Sequence, residues 1–337
     1  MKHLVCCSIC AVAVLGATFV SGCKVEPSKV TIAPIPHIII LTPLSHPSLD
    51  SAIKGFEQGL SESGYGRDAV EIESMNAAGD FTKIDNLARS AISRKPNLIF
   101  VLTTPAASQT LKLSNEARIP LVYTAVTDPV SAGIVSRMEG SDTLATGVTD
   151  RYPVPQQVEL FKTVFPNMRS AGILRNPAEQ NSLILSKETA EQLQARQVAV
   201  ETYAVTAANE IGNQTRRALA DNDCIIVNGD NLIVQNLTEV VNLCIEAKKP
   251  LFVGDPDSVR KGAVCTVGPS YFAIGRQAGL KAAEVLRGGD IKSIPSENPR
   301  SFDVIINTSA ARAMGLEVPG DMWAKYALWE SKAETSS

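Results

Sequence analysis

Glu116-Ala117-Arg118-Ile119-Pro120-Leu121-Val122 returns 130 residues later (246 minus 116) as Glu246-Ala247-Lys248-Lys249-Pro250-Leu251-Phe252. The same interval carries His46-Pro47 onto Asn176-Pro177. Each heptapeptide then runs into an Asp-Pro dipeptide, Thr127-Asp128-Pro129 in the first copy and Gly254-Asp255-Pro256 in the second. Three matches in the same order point to an internal duplication, and a duplicated unit of this length implies two similar lobes.

Working outward from the heptapeptides, short β-branched runs alternate with amphipathic stretches. Strands are expected over residues 37–42, 70–74, 97–102 and 121–125, with helices over 49–63, 82–94 and 106–117 between them. The second series places strands over 171–174, 199–203, 224–227 and 251–253, interleaved with helices over 181–194, 207–220 and 232–247. Strands this apolar, separated by helices, predict an α/β fold: two lobes, each a parallel sheet flanked by helices, joined by a hinge. The Gly-, Pro- or Ser-containing segments 147–152, 267–270 and 294–299 are the expected crossings. The first lobe is then 37–148 plus about 270–292, and the second 149–269 plus about 300–325.

The chain begins Met1-Lys2-His3, continues through an apolar run from Leu4 to Val20, and closes on Val20-Ser21-Gly22-Cys23. A basic start, an apolar core and a small-residue site are the parts of an export signal. Val-Ser-Gly-Cys resembles the lipobox of bacterial lipoproteins. That resemblance makes residues 1–22 a removable signal and Cys23 a lipidation site, tethered through 23–36 to the first strand. Several acyl chains, at about 0.8 kcal/mol per buried CH₂, hold a protein on a membrane where one chain does not. The expected location is extracytoplasmic, on a bacterial membrane. Residues 326–337 are polar and read as a frayed tail.

Composition narrows the function. The chain is 45% hydrophobic and 5% aromatic, and its net charge of −3 gives no basic surface on which nucleic acid would be held. A helix-turn-helix headpiece is also missing from the sequence, so a two-lobed transcription regulator does not fit. Of seven cysteines, Cys224, Cys244 and Cys265 remain beyond Cys23; no CxxC or Cys/His spacing suggests a metal site, and all three read as small buried hydrophobes. No Gly-x-Ser-x-Gly, His-Glu-x-x-His or Cys/His pair is present, so no catalytic centre and no cofactor is expected.

Ligands of open α/β sheets bind beyond the carboxyl ends of the strands, where helix N-termini begin. In the first lobe those loops carry Ser45-His46-Pro47, Thr103-Thr104-Pro105 and Thr127-Asp128-Pro129; in the second, Asn176 to Ser182, Asn228-Gly229-Asp230-Asn231 and Gly254-Asp255-Pro256-Asp257. Carboxylates suit an ammonium group, while hydroxyls and helix N–H groups suit a carboxylate. Thr104 and Asn181 also fit as helix caps, and Asp-Pro as a turn. The set points to a small zwitterion held between the lobes.

Several motifs together resemble a family. Ser45-His46-Pro47-Ser48-Leu49-Asp50, Thr104-Pro105-Ala106-Ala107, Ala125-Val126-Thr127-Asp128-Pro129, Thr146-Gly147-Val148-Thr149-Asp150, Ala178-Glu179-Gln180-Asn181-Ser182 and Gly275-Arg276-Gln277 look like the tryptophan/tyrosine-type substrate-binding proteins of ABC transporters. The resemblance spans nearly all of 35–316. It implies a type I periplasmic-binding-protein fold and capture of an amino acid, often aromatic, by a monomer that delivers it to an ABC permease. It places His46, Thr104, Thr127, Asp128, Asn181, Asp230 and Asp255 in the pocket. One of the three aspartates is to meet an ammonium, and replacing Asp128 by Ala is expected to abolish binding. Arg175-Asn176-Pro177 and Asp255-Pro256-Asp257-Ser258 depart from the family's usual residues. A ligand sensor or surface lipoprotein on the same fold is one alternative; an extracytoplasmic enzyme using two of the cleft aspartates as an acid–base pair is the less favoured one.

Overall fold

A computed structural model of the chain describes residues 34–317 and 327–329. Cys23, the signal segment and most of the tether and tail lie outside the described residues. The first sheet is built from β1 (His37–Thr42), β2 (Glu71–Asn76), β3 (Leu98–Leu102), β4 (Leu121–Val126) and β5 (Ala145–Thr149), in the order β2-β1-β3-β4-β5, all parallel. Helices α1 (Pro47–Glu62), α2 (Ile84–Ser93) and α3 (Thr104–Ala117) connect the strands. Central strands such as β3 (Leu-Ile-Phe-Val-Leu) are buried at every position because both faces are covered, whereas edge strand β2 keeps Glu71 and Asn76 exposed.

The second sheet repeats this plan. The elements are α4 (Val154–Val164), β6 (Ser170–Arg175), α5 (Gln180–Gln194), β7 (Ala199–Ala204), α6 (Ile211–Asp221) and β8 (Cys224–Val227). They continue with α7 (Asn231–Gln235), α8 (Leu237–Ala247), β9 (Leu251–Val253) and α9 (Pro256–Arg260), and the strand order β7-β6-β8-β9 matches β2-β1-β3-β4. The repeated heptapeptides occupy equivalent places. Arg118 ends α3 and Lys248 ends α8, both left-handed with φ of 57° and 54°, and each turns the chain into the fourth strand of its sheet. A left-handed C-cap without glycine costs about 1–2 kcal/mol. The basic residues sit where the negative end of the helix dipole favours them.

One expected helix is broken. The stretch 232–247 forms α7 and α8 because Asn236 leaves helical geometry (φ −106°, ψ 21°), its side-chain amide donating to the carbonyl of Leu232 and its N–H to that of Ile233. The helices expected from 82 and 207 begin as single 3₁₀ turns at Phe81–Lys83 and Ala208–Glu210. Sequence periodicity also left β5 and α4 unassigned. Cys224, Cys244 and Cys265 are buried and free, and burial raises all three thiol pKa values, in keeping with inert filler.

The last elements distribute between the sheets. Strands β10 (Cys265–Pro269) and β11 (Phe302–Asn307) pair antiparallel, with β12 (Ala327–Trp329) parallel to β11. Cys265, Val267, Ile305 and Ile306, together with Ala311 of α11 (Thr308–Ala313), belong to the second-lobe core. Helix α10 (Tyr271–Leu286) returns to the first lobe and packs along α1. The chain then passes beside β5, where Glu297 bridges Val148, before entering β11.

The α1–α10 contact is made backbone to backbone. Gly55 faces the carbonyl of Phe272, Gly59 that of Arg276, Gly275 that of Ala52 and Gly279 that of Phe56, and a Cβ on any of the four would overlap the opposite helix. Gly279→Leu should therefore force the helices apart and lower the urea midpoint by the equivalent of about 1–3 kcal/mol or more. Gly66→Ala, where the nearest atom to the added Cβ is 3.9 Å away, should leave the midpoint close to the parent value.

Candidate functional site

The carboxyl ends of the two sheets face each other across a small cavity of about 20 Å³. From the first lobe it is lined by His46, Leu49, Ala125, Asp150 and Tyr271, and from the second by Tyr152, Asn181, Gly229, Asp230, Asn231, Val234 and Asp255. Contacts close the lobes over it. Ser48 Oγ at the start of α1 donates to Asp255 Oδ1 at 3.0 Å, Gln180 Nε2 donates to the carbonyl of Ser131 at 2.8 Å, and the hydroxyls of Tyr152 and Tyr271 meet at 2.9 Å.

Each predicted residue has a definite place. His46 is the N-cap of α1 and is buried with Nδ1 unpartnered. Burial and the nearby Lys261 push its pKa down to about 4, so the ring is neutral at neutral pH. Thr104 begins α3, its hydroxyl buried without a partner, directly after Thr103, whose φ of 79° is strained for a β-branched residue. Asn181 donates to the carbonyl of Gly229 at 2.6 Å and to Glu179, leaving its own Oδ1 unpartnered at the cavity. Thr127 and Asp128 lie one strand-end away from the cavity lining. Thr127 Oγ1 donates to Asp150 Oδ1 at 2.9 Å, so it acts on the cavity through that carboxylate.

Asp128 is where the geometry departs from expectation. Its two oxygens accept from the Ser131 N–H at 2.9 Å and the Ser131 hydroxyl at 2.8 Å, a local Asx turn, and its side chain is not part of the cavity wall. The carboxylate that reaches the cavity from this side is Asp150, just past the end of β5.

Three carboxylates line the cavity, and among its lining residues there is no lysine or arginine. They differ in how fully they are satisfied. Asp230 accepts from the N–H of Asn176, the hydroxyl of Ser182 and the N–H of Ile233. Asp255 accepts from Ser258 N–H, Ser258 Oγ and Ser48 Oγ. Asp150 has two side-chain donors, the hydroxyls of Thr127 and Tyr271, at 2.9 Å each, with its own backbone N–H beside them. Burial raises the pKa of Asp150 and, with Glu179 adding to it, that of Asp230. Glu179 is held by Asn181, Asn231 and the N–H of Leu232, which fixes the second-lobe wall. Among the described residues no group of three or more His, Cys, Asp or Glu is arranged to hold a metal ion.

Residues 37–327 match the family model for the ABC transporter substrate binding protein. The chain belongs to this family. The tyrosine-binding protein of Clostridioides difficile strain R20291 is 30% identical over 319 residues, covering 92% of each chain. A solved structure from Streptococcus pneumonia, in complex with L-Trp, is 30% identical, covers 87% of this chain and 99% of its own, and superposes with a TM-score of 0.83. A ligand-free, open substrate binding protein with adhesive properties from Clostridium difficile, 27% identical and covering 88% and 100%, gives a TM-score of 0.67. The lower score against an open form agrees with the interlobe hydrogen bonds: the lobes of this substrate-binding protein are closed. Both the α/β architecture and the family expectation hold.

Sequence reasoning missed Asp150, Tyr152 and Tyr271 as cavity residues, while Asn231 lies in a loop already expected at the cleft. The available signal for Asp150 was its position at a strand end, inside a motif already matched to the family. The neutral, buried His46 has a measurable consequence. The unfolded chain binds a proton at this ring below about pH 6.5 and the folded one only below about 4, so its contribution to stability is present above 6.5 and is lost on acidification to 4. The expected loss is roughly 3 kcal/mol. Urea unfolding across this range should show that slope in the parent and a flatter one in His46→Asn.

Proposed function

We propose that the protein captures an L-amino acid with an apolar, preferably aromatic, side chain in the interlobe cavity and presents it to an ABC importer. The observation that carries this is the imbalance at Asp150: a buried carboxylate whose side-chain donors are two neutral hydroxyls, in a cavity that has three carboxylates and no cation among its lining residues. A ligand ammonium supplies the missing charge and a charge-assisted bond. Asn181 Oδ1, also unpartnered, offers a second acceptor. The Thr104 hydroxyl and the N–H of neutral His46 are donors for the ligand carboxylate. Leu49, Val234, Ala125 and the rings of Tyr152 and Tyr271 provide an apolar surround for the side chain. Relatives described as tyrosine-binding and as an L-Trp complex support the same class.

On this reading the first lobe receives the ligand, closure brings Asn181, Asp230 and Asp255 over it, and the closed form docks on a permease. Cys23 anchors the protein by lipid to the extracytoplasmic face of a membrane, in keeping with a family that serves membrane transporters. Among the described residues no helix is long and apolar enough to cross a membrane.

Thermal unfolding in the presence of each of the twenty amino acids tests the ligand class. A ligand at about 100 times its dissociation constant should add about 2.7 kcal/mol. Asp150→Asn should weaken binding roughly 30-fold or more, and Asp128→Ala should have a much smaller effect. Stabilisation by a sugar and by no amino acid would falsify the assignment. For the anchor, metabolic labelling with radioactive palmitate should mark the parent protein and leave Cys23→Ser unlabelled; label retained in the variant places the lipid elsewhere.

A further inference from the structure

A chain of hydroxyls stands behind Asp150. Tyr271 Oη donates to Asp150 Oδ2 at 2.9 Å, and the Tyr152 and Tyr271 hydroxyls are 2.9 Å apart. A phenol has one proton to give. Tyr271 gives its proton to the carboxylate, so Tyr152 is the donor in the second bond. The chain therefore has a direction, Tyr152 to Tyr271 to Asp150, with both O–H dipoles aimed at the carboxylate.

The two tyrosines are rooted in different lobes. Tyr271 opens α10 and belongs to the first-lobe core; Tyr152 belongs to the second-lobe core, its ring seated against Gly229 and Gly254 at the ends of β8 and β9. Only a residue without a Cβ leaves room for the Tyr152 ring at Gly254. Burial and the neighbouring carboxylates, Asp150 first among them, push both phenols well above their ordinary pKa, so neither loses its proton in the physiological range. The bond between them exists where the lobes meet.

We propose that Tyr271 and Tyr152 are positioning residues that hold the Asp150 carboxylate toward the ligand ammonium and tie that acceptor to the closed arrangement of the lobes. This rests on Asp150 being the ammonium partner. A hydroxyl that itself accepts a hydrogen bond is a stronger donor. When Tyr152 meets Tyr271, the carboxylate is better stabilised as an anion and competes less for a proton. The other titratable groups of the cavity are Asp255 at α9, Asp230 and Glu179 on the second-lobe wall and His46 at α1. None of them donates to Asp150.

The test is calorimetric titration, from pH 5 to pH 8, of the amino acid that most stabilises the parent protein. Tyr271→Phe keeps the ring and removes the donor. It should raise Kd at pH 7 by about 10- to 100-fold and move the acid limb of the Kd–pH profile to higher pH. Tyr152→Phe should shift both in the same direction by less. In an Asp150→Asn background, Tyr271→Phe should change Kd by about two-fold or less, because the group it positions is gone. Parent-like Kd and an unmoved acid limb in Tyr271→Phe, whatever its melting temperature, overturn the proposal. So does a full-sized loss in the Asp150→Asn background, which would mean that Tyr271 meets the ligand itself. A parent protein that binds no amino acid removes the ligand assignment, and this proposal with it; a parent that binds while Tyr271→Phe is indifferent removes this proposal alone.

Discussion

Buried carboxylates in a cleft with no lysine or arginine among its lining residues set the terms for the rest of this molecule. Burying an unpaired charge costs several kcal/mol even after relaxation, and the fold meets that cost in two ways. Asp230 and Asp255 are absorbed into the architecture: each takes three hydrogen bonds, and each caps the helix that follows it, α7 and α9. Asp150 is left with neutral donors, the two hydroxyls and its own backbone N–H, and no cation among the lining residues. Asp255 also accepts the Ser48 hydroxyl from the opposite lobe, so the same acidic rim that shapes the cavity helps to hold it shut.

Most strands of the two parallel sheets were legible in the sequence because a strand depends on local composition. The β1, β8 and β9 runs lie where their apolar, β-branched residues put them. The duplication was legible through the heptapeptides, and the structure gives the reason: both encode a helix end with a left-handed cap followed by a strand. The break at Asn236 was not legible, since a side-chain amide folding back on its own helix leaves the apolar periodicity intact. Helix α10 escaped because its glycine-rich face packs against backbone, which weakens the apolar stripe that periodicity detects.

The site was legible in kind and only partly in detail. His46, Asn181, Asp230 and Asp255 reach the cavity. Thr104, Thr127 and Asp128 stand beside it, and Asp150, to which the sequence reading gave no role, lines the cavity where Asp128 does not. An aspartate followed by proline and serine can cap its own turn or point across a cleft, and the choice depends on where the neighbouring strand ends. Asp150, Tyr152 and Tyr271 sit in or beside the segments that pass between lobes, where neither helical nor strand periodicity carries information.

The glycine-lined contact between α1 and α10 has a consequence for how the chain comes to be folded. Helix α1 ends at residue 62 and its partner begins at residue 271, beyond the whole of the second sheet. Contacts so distant in sequence form late and slowly. The N-terminal unit therefore keeps one flank of its hydrophobic interior bare until the far part of the chain is available to cover it. Chain order and assembly order are reversed at this seam, and the interval between them is the period in which the nascent polypeptide is most exposed to mispairing and to proteases.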